Sequence, residues 1–112
     1  MTSFNYDEET DVLVIDISSK RAYVSLEVSP RFVVDLTANN QPTGIELFNA
    51  SEVLSTLFGT TIKKSELHKL HCTINQEAIE NKEELYATFQ LGEKTSRLLI
   101  PMNYESPVTA AV

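Results

Sequence analysis

One cysteine, Cys72, occurs among 112 residues, so no internal disulfide can staple this chain. Small secreted scaffolds depend on several such bridges, and that class is excluded. Glycine is scarce as well: the three glycines form neither a dinucleotide-binding fingerprint nor a phosphate-binding P-loop. Basic residues number 9 against 16 acidic ones, for a net charge of -7 and a pI near 4.7. Binding a phosphate backbone takes clustered Lys and Arg that displace counterions, so nucleic acid is not an expected partner. An acidic surface suits solubility or a basic protein partner. No stretch approaches the roughly 20 apolar residues of a membrane-spanning helix. The opening "MTSFNYDEETD" has neither the basic start nor the apolar run of a signal peptide. No membrane association is expected, and the expected compartment is the cytoplasm.

What the chain does have is an ordinary globular composition, 42% hydrophobic and 22% charged. At this length folding buries roughly 65% of the unfolded chain's surface, enough for a core without metal or disulfides. "SFNYDEETDVLVIDIS" reads as a hairpin, with Phe4 and Tyr6 alternating before the turn residues "DEET". From Asp11 to Ile17 the β-branched run places Leu13, Ile15 and Ile17 on one face and Val12 and Val14 on the other. Such two-sided apolar character suggests a central strand. Ala22, Val24, Leu26 and Val28 alternate against polar residues as in a half-buried strand, which Pro30 ends because proline lacks an amide hydrogen. Phe32, Val34 and Leu36 make the next strand, Asn39-Asn40 suit positive φ angles in the turn, and Ile45 and Leu47 form the last strand of this half. Val53, Leu54, Leu57 and Phe58 then recur at helical spacing, with Gly59 as the C-terminal cap.

The second half starts with a short helix over "KSELHKL", capped by Ser65, and continues with three strands. The first, near His71 to Glu80, alternates poorly and suggests a bulge. The second carries Leu85, Ala87, Phe89 and Leu91 on one face. Gly92-Glu93 fits a two-residue hairpin, and the third strand aligns Leu98, Ile100 and Met102 before Pro101 and Pro107 end regular structure. The expected fold class is therefore α+β: an antiparallel meander with helix (β-β-β-β-α), then a short helix and a three-stranded antiparallel meander, packed as one small domain. The divisions are 1–59 for the first unit, 60–105 for the second, sharing one core, and 106–112 for a frayed tail.

Candidate chemistry is sparse. In "HKLHC", His68, His71 and Cys72 share one helical face, and zinc accepts all three ligand types. Against a metal site stands the expected end of the helix near Leu70, which would send His71 and Cys72 to opposite sides. Asp16 and Asp35 sit inside otherwise apolar strands; a buried carboxylate pair could do acid–base work, whereas strand-end acids facing water need no such role. No serine lies in a G-x-S-x-G elbow, and no catalytic residue or cofactor is assigned. "GIELFNASEVL", residues 44–54, holds both an N-glycosylation acceptor, Asn49-Ala50-Ser51, and a helix start. Without signs of secretion the helix start is preferred. Asn49 is then the N-cap, accepting from the amide of Ser51 or Glu52, while Glu52 reaches back to Asn49 and Phe48 staples against Val53.

Three ordered blocks, "NYDEETDVLVIDIS", "EVSPRFVVDL" and "GIELFNASEVL", resemble the domain-of-unknown-function 2283 family over about the first 55 residues. Tyr6, Asp7, Asp11, Leu13 and Ile15 fit its first block. Glu27, Val28, Pro30 and Asp35 fit the second, and Gly44, Ile45, Glu46, Ala50 and Ser51 the third. This chain departs from the pattern at Asn49, where the family carries Asp, and at Asn39-Asn40, which replace an Asp-Gly turn. The second half has no counterpart. The resemblance implies a small prokaryotic β-meander plus helix with no established activity.

Three functional expectations follow. The first is a non-enzymatic interaction or assembly module, forming a homodimer or binding a protein partner, because the chain is acidic, catalytically bare and rich in sheet edges that need covering. The second is an antitoxin-like neutraliser of a basic ribonuclease, motivated by the net charge alone. The third is a small metal-dependent or acid–base enzyme built around His68, His71, Asp16 or Asp35, which requires those side chains to converge.

Overall fold

The computed structural model describes residues 3–80 and 82–101. Met102 and the expected tail at 106–112 lie outside them. Five strands come first: β1 (Ser3–Asp7), β2 (Val12–Asp16), β3 (Val24–Ser29), β4 (Phe32–Leu36) and β5 (Pro42–Phe48). The helix α1 (Ala50–Phe58) follows, then a 3₁₀ segment (Lys64–Lys69), and finally β6 (His71–Ile79), β7 (Lys82–Leu91) and β8 (Lys94–Ile100).

The α+β class and the three-stranded antiparallel second sheet are as expected. The first half differs in two ways. All five segments with strand character form, one more than the β-β-β-β-α formula counts, and the short Phe4/Tyr6 segment pairs along its whole length with β2. This half is also not a plain meander: the order is β1-β2-β5-β4-β3, with β5 between β2 and β4. Leu13 and Ile15 pair with Leu47 and Ile45, which in turn pair with Phe32 and Val34. The most continuously apolar strands thus take the interior of the sheet, where both neighbours protect them.

One hydrophobic cluster joins both halves. It includes Leu13, Ile15 and Ile45 of the first sheet, Leu54 of α1, Leu67 of the 3₁₀ segment and Phe89 of β7, all fully buried. Val53, Leu57 and Phe58 pack against this cluster beside Leu54, as the helical spacing predicts. Burying a side chain such as Leu54 contributes roughly 2 kcal/mol. Gly59 ends α1 at φ 69°, its amide donating to the Thr56 carbonyl while Thr60 donates to Ser55. A left-handed residue at this position is what lets the last carbonyls find donors. Gly92 likewise turns the β7–β8 hairpin at φ 62°.

Three local expectations are corrected. Strand β6 carries no bulge; its register with β7 runs unbroken from His71↔Gln90 to Ile79↔Lys82. Register shifts lie instead in the first sheet: one between Asp35 and Leu36 where β4 meets β5, and one in β3 between Glu27 and Ser29, which throws Val28 off the buried alternation to 42% exposure. Ser65 does not cap the 3₁₀ segment. Lys63 precedes that segment, and its amide donates to Glu66 Oε1 at 3.3 Å.

Candidate functional site

The joint between β2, β5 and α1 is built on one carboxylate. Asp11 stands at φ 57° in the β1–β2 turn and is 6% exposed. Its Oδ1 accepts from the Tyr6 hydroxyl at 2.7 Å and from the Ser51 amide at 3.0 Å. Its Oδ2 accepts from the Ser51 hydroxyl at 2.6 Å, and its carbonyl accepts from the Ala50 amide at 2.9 Å. Burial by itself pushes the Asp11 pKa up. The Ser51 and Tyr6 hydrogen bonds and the Lys64 charge outweigh it and hold the carboxyl below the usual Asp range. Burial first, and then the hydrogen bond to Asp11, raise the Tyr6 phenol. The ring of His68 meets that of Tyr6 edge-on at 5.5 Å, and His68 Nε2 lies 3.8 Å from Glu8 Oε1.

Asp11, 40 residues before Ser51 in the chain, therefore supplies the cap expected from Asn49. Asn49 does hold the N-cap position, but at φ 51° and ψ 48° and without a side-chain hydrogen bond. Cap side chains reach the first helical amides from the β region, not from the left-handed one. Glu52 does not fold back either; it pairs with Arg31 at 2.6 Å. Phe48 occupies the outward register of β5 whereas Val53 packs on the core, so the expected staple has its ends on different faces. Asn49→Ala should still cost about 1 kcal/mol, through left-handed backbone strain rather than a lost cap. Asn49→Gly should be neutral or stabilising in thermal denaturation, because glycine adopts that conformation freely.

The "HKLHC" residues are not brought together. The 3₁₀ segment stops at Lys69, Leu70 is extended, and His71 and Cys72 are successive strand residues that point to opposite sides of the sheet. Among the described residues no group of three or more His, Cys, Asp or Glu is placed to hold a metal ion. Cys72 packs against the core, and burial pushes its thiol up to about 11. Because the thiolate is the reactive form, Cys72 should react with iodoacetamide in native protein far more slowly than after unfolding at pH 8.

Asp16 and Asp35 do share a surface. Both stand opposite Gly44, one from β2 and the other from β4, so their Cα atoms are two strand spacings apart, roughly 9.5 Å. Asp16 is exposed, and Asp35 Oδ1 accepts from the Ser25 hydroxyl at 2.6 Å. A Cβ on Gly44 would stand 3.2 Å from the Ile15 carbonyl oxygen, so a side chain here would press the strands apart by a few tenths of an ångström between the two acids. His68 and His71 belong to the 3₁₀ segment and the second sheet and do not join them.

This surface is the face of the five-stranded sheet opposite the core, and the register shows how it is composed. A row of Asn5, Val14, Glu46, Val33 and Glu27 runs across all five strands. Asp16 and Asp35 lie on one side of that row, and Asp7, Val12 and Phe48 on the other. Val12, Val14, Val33 and Phe48 are half-buried, yet none belongs to the core cluster or packs against it. The five strands contain no Lys, Arg or His. Sequence reasoning singled out Asp16 and Asp35 but not the surface they share. Its signal was present as an acid at the outward position of every strand, but strand order is needed to see that these positions adjoin.

A family model, Protein of unknown function (DUF2283), matches residues 3–51, which span β1 to β5 and the start of α1. The resemblance carried by the three motif blocks thus covers the first sheet and its joint to the helix, while the second half lies outside the matched span. No match was found among curated proteins or among solved structures.

Proposed function

We propose that this chain is a non-enzymatic interaction module that works by binding another protein chain, either a second copy or a different partner. The observation that carries the reading is the outward face of the first sheet. Four half-buried apolar side chains, Val12, Val14, Val33 and Phe48, lie on it with no second layer over them among the described residues. Apolar surface grouped in this way gains free energy when covered, at about 25 cal/mol per Å². Neutralisation of a basic ribonuclease is a narrower version of the same reading, favoured by the carboxylates around that patch. High salt would weaken such a complex.

Light scattering at micromolar concentration, combined with affinity capture by wild type and Val33→Lys, tests the proposal. The expected result is a dimer or a captured partner that is lost with the lysine. A strict monomer that captures nothing would overturn it.

A further inference from the structure

The interaction reading leaves open whether a second copy or a different protein sits on the outward face, and the charge of that face decides between them. Asp7, Asp16, Glu27 and Asp35 border the valine and phenylalanine patch and Glu46 stands within it, between Val14 and Val33; the strands that carry these acids supply no basic residue. Asp16, Glu46, Asp35 and Glu27 follow one another on adjacent strands at about 8 to 10 Å between Cα atoms, comparable to the Debye length at physiological salt, so their carboxylates reinforce one another most strongly at low salt. Among the described residues, none of the five is engaged in an ion pair. A second copy laid face to face would set five carboxylates against five, and like charges brought directly opposite one another repel. The segment 102–112, "MNYESPVTAAV", carries one glutamate and no Lys or Arg, so it does not complement the charge either. A bare divalent cation would meet the acids but leave the apolar centre uncovered.

Resting on the interaction reading, we infer that the outward face of the five-stranded sheet is the docking surface for a basic protein segment. Apolar side chains of that segment seat on Val12, Val14, Val33 and Phe48, and its Lys or Arg residues meet the surrounding carboxylates. Apolar contact supplies the affinity, while the acids set the orientation and speed the encounter. A partner with the wrong charge is rejected by the same groups.

The test is a titration of full-length, isotope-labelled protein with a synthetic amphipathic peptide of Lys and Leu, followed by amide chemical shifts. A twin peptide with Gln in place of Lys is the control. The shifts should be confined to β2, β4, β5 and the adjoining edge strands, and should be absent with the twin. Asp35→Asn combined with Glu46→Gln should weaken binding roughly fivefold or more at low salt, the sum of two surface ion pairs. Val33→Thr should weaken it at every salt concentration. Glu80→Gln with Glu93→Gln removes the same charge from turns of the second sheet and should leave binding unchanged. Circular dichroism of each variant separates lost binding from lost fold. Shifts centred elsewhere, equal weakening by the two charge pairs, or a homodimer buried on this face would overturn the assignment. So would release of the face only on removing residues 102–112. A partner or dimer found at another surface would sink the assignment and spare the interaction reading; a monomer that binds nothing would sink both.

Discussion

Asp11→Ala should be among the most destabilising single substitutions outside the core, costing about 3 kcal/mol or more. That loss corresponds to a fall in melting temperature of roughly 10–15 °C. The carboxylate accepts from the Tyr6 hydroxyl, the Ser51 amide and the Ser51 hydroxyl, and all three donors lose their acceptor together. A hydrogen bond to a charged group contributes about 1.5–3 kcal/mol, and a donor stranded in a buried site adds its own desolvation cost. Alanine at φ 57° brings left-handed strain as well. Asp11→Gly relieves that strain and isolates the hydrogen-bond loss. Asp11→Asn keeps an acceptor and tolerates the backbone, so it should fall between wild type and alanine. A melting temperature within 2 to 3 °C of wild type in the alanine variant, under 1 kcal/mol, would refute the joint as a stability determinant.

The pH dependence tests the same carboxylate by another route. Its folded pKa lies below the usual Asp range, so as pH falls the unfolded chain takes up this proton before the folded one does. The stability from ionised Asp11 is therefore fully present above the ordinary Asp pKa of about 3.9 and is lost as pH falls through the folded value. The stability gap between wild type and Asp11→Asn should stay level from about pH 5 to 8 and narrow below about pH 4. Tyr6 has the opposite sign. Its phenol is raised, so its contribution holds below the ordinary tyrosine pKa of about 10 and is lost above it.

Periodicity made the elements readable but not their neighbours. Leu13 and Ile15, the alternation of Phe32, Val34 and Leu36, and the helical spacing of Leu54 and Leu57 each report one element's buried face, and each is buried or packed as expected. Which strand lies beside which depends on contacts between distant segments. Leu13 meets Leu47 only because β5 enters between β2 and β4, and nothing local to either strand states this. The same limit hid the cap. "NASE" has the local form of a self-contained helix start, yet the backbone at Asn49 takes a left-handed turn and the acceptor comes from Asp11 in the β1–β2 turn. For His68, His71 and Cys72 the deciding detail is where the 3₁₀ segment ends: a continued helix would align them, and the strand that begins at His71 separates them.

Phe89→Ala should cost about 3–5 kcal/mol, the usual loss for an aromatic ring removed from a packed interior. Phe89 is fully buried on the central strand of the second sheet, paired with Cys72 and Ser96. A domain of this size is stable by only about 5–15 kcal/mol, so the variant stands close to unfolding at body temperature. The informative readout is where the loss is felt. Phe89 shares one core cluster with Leu13 and Ile45 of the first sheet, and α1 is tied to both ends of the second unit's chain. Ser96 Oγ donates to the Leu57 carbonyl at 2.9 Å, and Ser55 Oγ accepts from the Ile62 amide at 2.8 Å. If the two units form one cooperative body, hydrogen exchange at Leu13 and Ile15 should accelerate by the same free energy as at Ala87 and Thr88. Independent folding of residues 1–59 would instead leave the β2 amides at wild-type protection while β7 melts. The helix α1 lies against β5 of the first sheet and β8 of the second, so opening the second unit uncovers apolar surface of the helix that the first unit shares, which favours the cooperative outcome.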